Sequence, residues 1–263
     1  MEKLKKHIQS IIDIYKTGNL SKAELLAEEA INDNPKVVFL YNLLGLILAE
    51  QKKDDQAIKC YEKGIALDPN YGMIYNNLGY IYFRFKSHKD IKKSEEHYKK
   101  SISLDTKIAE PHNNLGNLYR SLNKYDEAIK CFKKSIEINS KLSFVHHNLA
   151  TTYITVGKFE KAKIHFNEAI KISPNFILAH RGLSRVTKYN KESKHLQDLI
   201  KLYKEIKRTD SNNKMELAFS LGKAYEDIKN FYESFKYYSE ANAIYRKTLN
   251  FSIFEEEKNF KNI

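Results

Sequence analysis

The sequence predicts an all-α fold, a right-handed solenoid of about seven helical hairpins, and two observations indicate it. A leucine followed by a small residue recurs at Leu44-Gly45, Leu78-Gly79, Leu115-Gly116, Leu149-Ala150 and Leu183-Ser184, in steps of 34, 37, 34 and 34 residues. After each of the first four pairs come a small residue and, four positions later, an aromatic one: Ala57 and Tyr61, Ser94 and Tyr98, Ala128 and Phe132, Ala162 and Phe166. A fixed period of this length is typical of stacked similar units rather than of one globular core.

Each unit is predicted to contain two helices, as residues 38–71 illustrate. The first helix carries its apolar and small residues on one face, at Tyr41, Leu44, Gly45 and Leu48. The second does the same at Ala57, Ile58, Tyr61, Gly64 and Ile65. The polar segment 50–55 is a predicted turn between them, and Pro69 ends the second helix because proline cannot continue it.

This spacing resembles the tetratricopeptide repeat, which has an aromatic residue, Leu-Gly, Tyr, Ala, Phe and Pro at fixed offsets. Tyr41, Tyr75, His112 and His146 take the opening aromatic place. The Tyr place is taken by Tyr82, Tyr119 and Tyr153, and the closing prolines are Pro35, Pro69 and Pro174. The resemblance covers residues 4–248 and implies that the first helices of the units line a shared concave groove.

The predicted units are 4–37, 38–71, 72–108, 109–142, 143–176, 177–214 and 215–248. In the third, three extra residues are expected to lengthen the turn 84–93. The unit 177–214 is degenerate, because Leu196, Ile200 and Tyr203 stand where small, aromatic and small residues are expected. Residues 249–263 are expected to form a terminal capping helix that begins at a capping box at Ser252, or the start of a missing domain.

The charge balance favours a protein partner over nucleic acid. The chain has 45 Lys and Arg against 33 Asp and Glu, a net charge of +12 and a pI near 9.3, which suits a nucleic-acid surface. Nearly all of the excess is lysine scattered along predicted helices, and only six residues are arginine, the better phosphate ligand. A basic nucleic-acid-binding array is therefore kept as a second alternative.

The sequence predicts a reduced, cytoplasmic protein that does not bind a membrane. Cys60 and Cys131 lie two units apart, which places them beyond disulfide reach. No stretch approaches the roughly 18 consecutive apolar residues that a membrane span needs. The oligomeric state is left open.

Catalysis, a metal and a cofactor are not expected. The sequence has no G-x-S-x-G, H-E-x-x-H or C-x-x-C motif, and its glycines are too sparse for a phosphate-binding loop. His112, His146 and His180 recur every 34 residues, but helices of adjacent units lie about 8–10 Å apart. Since zinc ligands must all lie about 2 Å from the ion, these histidines are predicted to pack between helices.

Asparagine is the candidate binding residue. It precedes the Leu-Gly pair in register, at Asn42, Asn76, Asn77, Asn113, Asn114 and Asn148, and follows it at Asn117. Asparagine is a poor helix former, so its repeated use inside helices asks for an explanation. The resemblance implies a ladder of these side chains along the groove, away from the buried leucines, where donors and acceptors could bind the backbone of an extended peptide. The alternative is that they only reflect a composition rich in Lys, Asn and Ile.

Apolar and basic side chains on the first helices complete the predicted peptide-binding groove. They are Phe39, Met73, Tyr80, Phe83, Arg120, Phe144 and His147. A cage for a terminal carboxylate would need Lys or Arg at several asparagine positions, and only Arg120 and Arg181 come near. The predicted function is a protein-interaction scaffold that binds an extended peptide or a partner protein.

A looser resemblance suggests an alternative function. The phrase Asn-Asn-Leu-Gly, at 76–79 and 113–116, is similar to the repeats of O-linked N-acetylglucosamine transferases. Residues 185–250 are similar to the segment that precedes the sulfotransferase domain in tetratricopeptide-sulfotransferase fusions. This resemblance implies the substrate-docking region of a sulfotransferase or glycosyltransferase that lacks its catalytic domain.

Overall fold

Fourteen α-helices, without any β-strand, form the regular structure of the residues that the computed structural model describes, namely 2–85, 87–207 and 209–248. The helices are α1 Glu2–Lys16, α2 Leu20–Asp33, α3 Val38–Glu50, α4 Asp54–Leu67, α5 Gly72–Phe85, α6 His88–Leu104, α7 Glu110–Ser121, α8 Tyr125–Ile138, α9 Ser143–Thr155, α10 Phe159–Ile172, α11 Ile177–Val186, α12 Lys194–Glu205, α13 Ser211–Asp227 and α14 Phe231–Thr248. The predicted all-α helical repeat fold is confirmed. The helix predicted from Ser252 lies outside the described residues.

The chain divides between Asn139 and Ser140 into two compact units, each of which contains several of the predicted repeats. We call these the first and the second compact unit, or simply the first and the second unit. In the first unit, α1 to α8, the fully buried side chains include Ile11, Leu40 and Ile74. In the second unit, α9 to α14, Leu199 and Leu217 belong to the core. In the first unit, α2 contacts α3, α4 contacts α5 and α6 contacts α7, so neighbouring helix pairs cover each other's apolar faces.

The recurring glycine and the recurring aromatic residue of a hairpin pack directly against each other. A Cβ atom added to Gly45 of α3 would lie 2.3 Å from Cε1 of Tyr61 in α4, so the ring occupies the space that any larger residue would need. Gly116 and Phe132 repeat this arrangement, with the ring 2.7 Å from such an atom. The two parts of the sequence motif are therefore one contact, in which the missing side chain makes room for the ring.

The opening aromatic residue of a unit is hydrogen-bonded to the turn before it. The hydroxyl of Tyr41 donates to the carbonyl oxygen of Pro35 at 3.0 Å, and Tyr75 does the same to Pro69. Nε2 of His180 lies 2.8 Å from the carbonyl oxygen of Pro174. A polar ring at this place thus satisfies a carbonyl group of the turn that follows the preceding helix.

The predicted long turn of the third unit is wrong. α5 ends at Phe85 and α6 begins at His88, so the connection is short. The extra residues instead lengthen α6, which has 17 residues where α4 and α8 have 14 each. Ser87 caps this helix by accepting a hydrogen bond from the backbone N–H of Asp90, which fixes the earlier start.

The degenerate unit departs from the hairpin arrangement. α11 is only 10 residues long and contacts α10 and α13, whereas α12 packs against α13. An extended segment after α11 brings the Tyr189 ring into the core, where it is 3% exposed. The bulky Leu196 of α12 is buried in the same cluster. In this part of the chain, large side chains replace the close helix pairing that small residues permit elsewhere.

None of the helices in the described part of the chain combines the length and the apolar character that crossing a bilayer requires. Cys60 and Cys131 are both free thiols.

Candidate functional site

The asparagine side chains of the first unit form one continuous chain of hydrogen bonds. The amide nitrogen of Asn77 donates to the side-chain oxygen of Asn42 at 2.9 Å, and that of Asn76 donates to the oxygen of Asn77 at 3.2 Å. The amide nitrogen of Asn114 donates to the oxygen of Asn76 at 2.9 Å, and that of Asn113 to the oxygen of Asn114 at 3.2 Å. The chain therefore links the first helices α3, α5 and α7. We call these five residues the amide array.

The array is more buried than its predicted position implies. Asn42, Asn76 and Asn113 are 9%, 5% and 5% exposed, and only Asn77 and Asn114 are half-buried. These three side chains are thus less accessible than the predicted ladder requires, and the position of that ladder along a groove stays a prediction. A buried amide must find hydrogen-bond partners, and here the partners are other amides of the array, either adjacent in the same helix or on the first helix of the neighbouring repeat. This explains why asparagine is tolerated inside these helices.

Apolar and aromatic side chains accompany the array on the same first helices. Tyr80 of α5 is 46% exposed, and Phe39 of α3 and Met73 and Phe83 of α5 are half-buried. They combine partial exposure with a large apolar area, as expected of residues that line a binding surface.

Asn117 and Arg120 are two polar residues of α7 that follow Asn113 and Asn114 on that helix. The guanidinium of Arg120 donates to the side-chain oxygen of Asn117 at 3.1 Å, and it lies 5.9 Å from the centre of the Phe132 ring. Burial lowers the pKa of Arg120 from its ordinary value, so its charge is held in a partly desolvated place. A carboxylate or carbonyl group of a ligand would bind more strongly to such a cation than to a fully hydrated one.

The second unit contains the three other predicted site residues, all on α9. Phe144 is 40% exposed, whereas His147 and Asn148 are half-buried. The His147 ring centre lies 5.7 Å from that of Phe166 and 5.2 Å from that of Phe176, so this histidine packs between two aromatic rings.

A pocket of about 320 Å³ opens beside His147, and the sequence prediction missed most of its lining. Leu178, Arg181 and Arg185 of α11 line it, together with Glu216 of α13, whose carboxylate lies 3.2 Å from Nε of Arg181. The sequence did carry a signal for this pocket. His147 and Arg181 follow Asn113 in steps of 34 residues, so they occupy the same place in their units as the buried asparagines.

Two recurring histidines of the second compact unit, His146 and His180, each lie beside another histidine. Since Nε2 of His180 must donate to the Pro174 carbonyl, its Nδ1 accepts from Nε2 of His195, 2.9 Å away. Nδ1 of His195 then accepts from the hydroxyl of Tyr189 at 2.7 Å. Burial, and then the adjacent His180, lower the pKa of His195 to about 3. Across the described residues, no three His, Cys, Asp or Glu side chains cluster as metal ligands would.

Comparison with protein families identifies the repeats. Residues 109–142 and 143–176 each match the tetratricopeptide repeat, and residues 45–84 match a TPR repeat model. A protein named "Uncharacterized protein ycf37" from Pyropia yezoensis is 37% identical over 65 residues, which are 25% of this chain and 35% of that protein. The chain thus spans about a third of the length of this curated relative. The similarity of residues 185–250 to sulfotransferase fusions stays a prediction.

Solved structures show the same fold. A thermophilic TPR protein of Thermus thermophilus, TTC0263, superimposes with a TM-score of 0.62 at 17% identity, over 70% of this chain and 98% of that one. YrrB, described as a TPR protein with an unusual peptide-binding site, superimposes with a TM-score of 0.50 at 14% identity, over 80% of this chain and 96% of that one.

Proposed function

We propose that this chain is a protein-interaction scaffold that binds an extended peptide on helices α3, α5 and α7. Its residues 45–84, 109–142 and 143–176 match models of the tetratricopeptide repeat. The observation that carries the proposal is the amide array, a row of side-chain amides that runs across α3, α5 and α7. YrrB, a protein of the same fold with a peptide-binding site, is in keeping with it.

The array supports peptide binding through its hydrogen-bonding capacity. An asparagine amide can donate two hydrogen bonds and accept two, and each link of the array uses one donor and one acceptor. The half-buried members, Asn77 and Asn114, are positioned by their partners and so lose little side-chain freedom when they bind. They can pair with the backbone of a peptide, which presents N–H and C=O groups whatever its sequence.

Selectivity would come from the side chains around the array. Tyr80 offers an exposed ring, Met73 and Phe83 offer partly buried apolar surface, and Arg120 offers a partly desolvated charge. The preferred peptide would therefore carry an apolar residue near Tyr80 and an acidic or carbonyl-rich segment near Arg120. Aromatic anchors of this kind commonly supply much of the binding energy of an interface.

The proposal is tested with peptides selected on the full chain from a random dodecapeptide library displayed on phage. We expect peptides whose affinity, measured by fluorescence anisotropy, falls at least about tenfold with Tyr80→Ala and with Asn77→Ala. Leu25→Ala, at an exposed leucine of α2, is the matched control and should leave affinity unchanged. The proposal is wrong if no selected peptide responds to either substitution.

Salt separates the proposal from nucleic-acid binding. A peptide held by amide hydrogen bonds and apolar contacts should lose little affinity between about 50 and 200 mM salt. RNA held by scattered lysines through several phosphate contacts would lose about a thousandfold or more over that interval. Tighter binding of RNA than of any selected peptide, with such a salt dependence, would replace the scaffold proposal with the nucleic-acid alternative.

A further inference from the structure

An open pocket lies in the second compact unit. It is found at the degenerate repeat 177–214, which departs from the hairpin arrangement. Its volume is about 710 Å³. Leu196 and Ile200 of α12 line one side, and Tyr225 and Ile228 at the end of α13 line the other. α12 packs against α13 instead of forming a close hairpin with α11, so these apolar side chains border an opening.

Exposed aromatic side chains flank the pocket at the start of α14. Phe231 and Tyr232 line it and are 66% and 79% exposed, and Phe235, one turn further on, is 75% exposed. Single exposed apolar residues are common, but three large rings exposed within five positions of one helix, beside an apolar pocket, are typical of an interaction site.

The charges of the pocket define the chemistry of its occupant. Lys191, in the segment before α12, and Lys229, in the turn before α14, both line the pocket. No carboxylate is among the described residues that line it. Two cations beside an apolar floor complement a segment that has negative charge beside an apolar side chain.

We infer that this pocket binds a segment of a partner protein in which an aliphatic or aromatic side chain is flanked by Asp or Glu. The apolar side chain fills the space between Leu196, Ile200 and Ile228, and Phe231 covers it from the side. The flanking carboxylates pair with Lys191 and Lys229. This site is independent of the amide array, because it lies on different helices in the other compact unit.

The phage-displayed library also tests this inference on the full chain. We expect a class of selected peptides that carry an apolar residue within three positions of Asp or Glu. Their affinity should fall at least tenfold with the double substitution Phe231→Ala and Tyr232→Ala. It should fall at least threefold with Lys191→Gln, and also with Lys229→Asn, since asparagine tolerates the left-handed φ of 60° at this position.

Tyr80→Ala is the matched control, because it changes an aromatic residue of the first unit and should leave this class of peptides unaffected. If the library gives no peptides that depend on Tyr80, the proposed function is wrong. If it gives no peptides that depend on Phe231, the present inference is wrong. The two failures are therefore distinguishable. The inference is overturned if no acidic, apolar peptide is selected, or if the double substitution leaves its binding unchanged.

Two other occupants would also overturn it. A dimer in sedimentation velocity that the double substitution converts to a monomer would identify a second copy of the chain as the occupant. Peptide binding that is absent from the full chain and gained when residues 249–263 are removed would identify the chain's own terminal segment.

Discussion

The side-chain amide of Asn77 donates a hydrogen bond of 2.9 Å to the side-chain oxygen of Asn42, which lies 35 positions earlier in the chain. In the next repeat, the side-chain amide of Asn114 donates the equivalent hydrogen bond to the side-chain oxygen of Asn76. These contacts join side chains that are far apart in sequence and adjacent on neighbouring first helices. They couple the proposed binding surface to the packing of the first unit, so substitutions in the array affect both stability and binding.

We expect Asn76→Ala to lower the free energy of unfolding by about 1–3 kcal/mol, because it removes one partner from two hydrogen bonds in a buried place. The measurement is urea unfolding followed by far-ultraviolet circular dichroism. Asn32→Ala, at an exposed asparagine of α2, is the control and should cost less than about 0.5 kcal/mol. Equal effects would show that the array adds nothing to stability.

We expect Gly116→Ala to lower the free energy of unfolding by about 1–3 kcal/mol, because the added methyl group would overlap the Phe132 ring. The double variant Gly116→Ala with Phe132→Leu should recover part of this loss relative to the sum of the single effects. Urea unfolding of all four proteins gives this comparison. Strictly additive effects would contradict the contact.

The repeat 143–176 has alanine where other repeats have the glycine that packs against an aromatic ring. Ala150 occupies the glycine place of the unit 143–176, and its partner by sequence is Phe166. The Phe166 ring lies against Gly182 of α11, where an added Cβ would be 2.3 Å from the ring. Gly182→Ala should therefore destabilise the second unit by about 1–3 kcal/mol, measured in the same way. No effect on the urea midpoint would show that the ring moves aside freely.

Acid should destabilise the second unit through His195. Its pKa is about 3 in the folded protein, below the value near 6.5 of a free histidine, so the unfolded chain takes up the proton first. The contribution of His195 is therefore complete above about pH 6.5 and is lost as the pH falls toward 3, with a loss of about 2 kcal/mol at pH 5.

Urea unfolding between pH 7.5 and pH 5 measures this dependence. His195→Gln should flatten the curve, although the variant is less stable at pH 7.5, because the group that titrates is gone. An unchanged slope in His195→Gln would exclude this histidine as the source of the acid sensitivity.

The two thiols should react slowly with Ellman's reagent at neutral pH. Burial raises the pKa of both Cys60 and Cys131 to about 11, so the reactive thiolate is scarce. Cys131 is the less buried of the two and should react first. In urea both should react at the rate of a free thiol. Rapid reaction of Cys60 in the folded protein would contradict its burial and its hydrogen bond to the Tyr41 carbonyl.

The sequence predicted the all-α repeat fold, because the Leu-Gly pairs and the following aromatic residues are a local pattern with a fixed period. It also placed the asparagines in register. It did not predict that Asn42, Asn76 and Asn113 are buried, because the links from Asn77 to Asn42 and from Asn114 to Asn76 span 35 and 38 positions of the chain. The longer α6 was missed because an insertion can extend a helix or a turn at similar cost, and the Ser87 cap decides between them.

The sequence by itself determined the helical repeat, because small and aromatic residues at this spacing are buried together when pairs of helices stack. The tertiary structure alone decided which amides pair across units, and how Tyr189, His195 and His180 share their protons. It also decided that α12 packs on α13 and leaves an apolar pocket open. These features depend on contacts between residues distant in sequence, and such contacts are set by the packing of whole helices rather than by any local pattern.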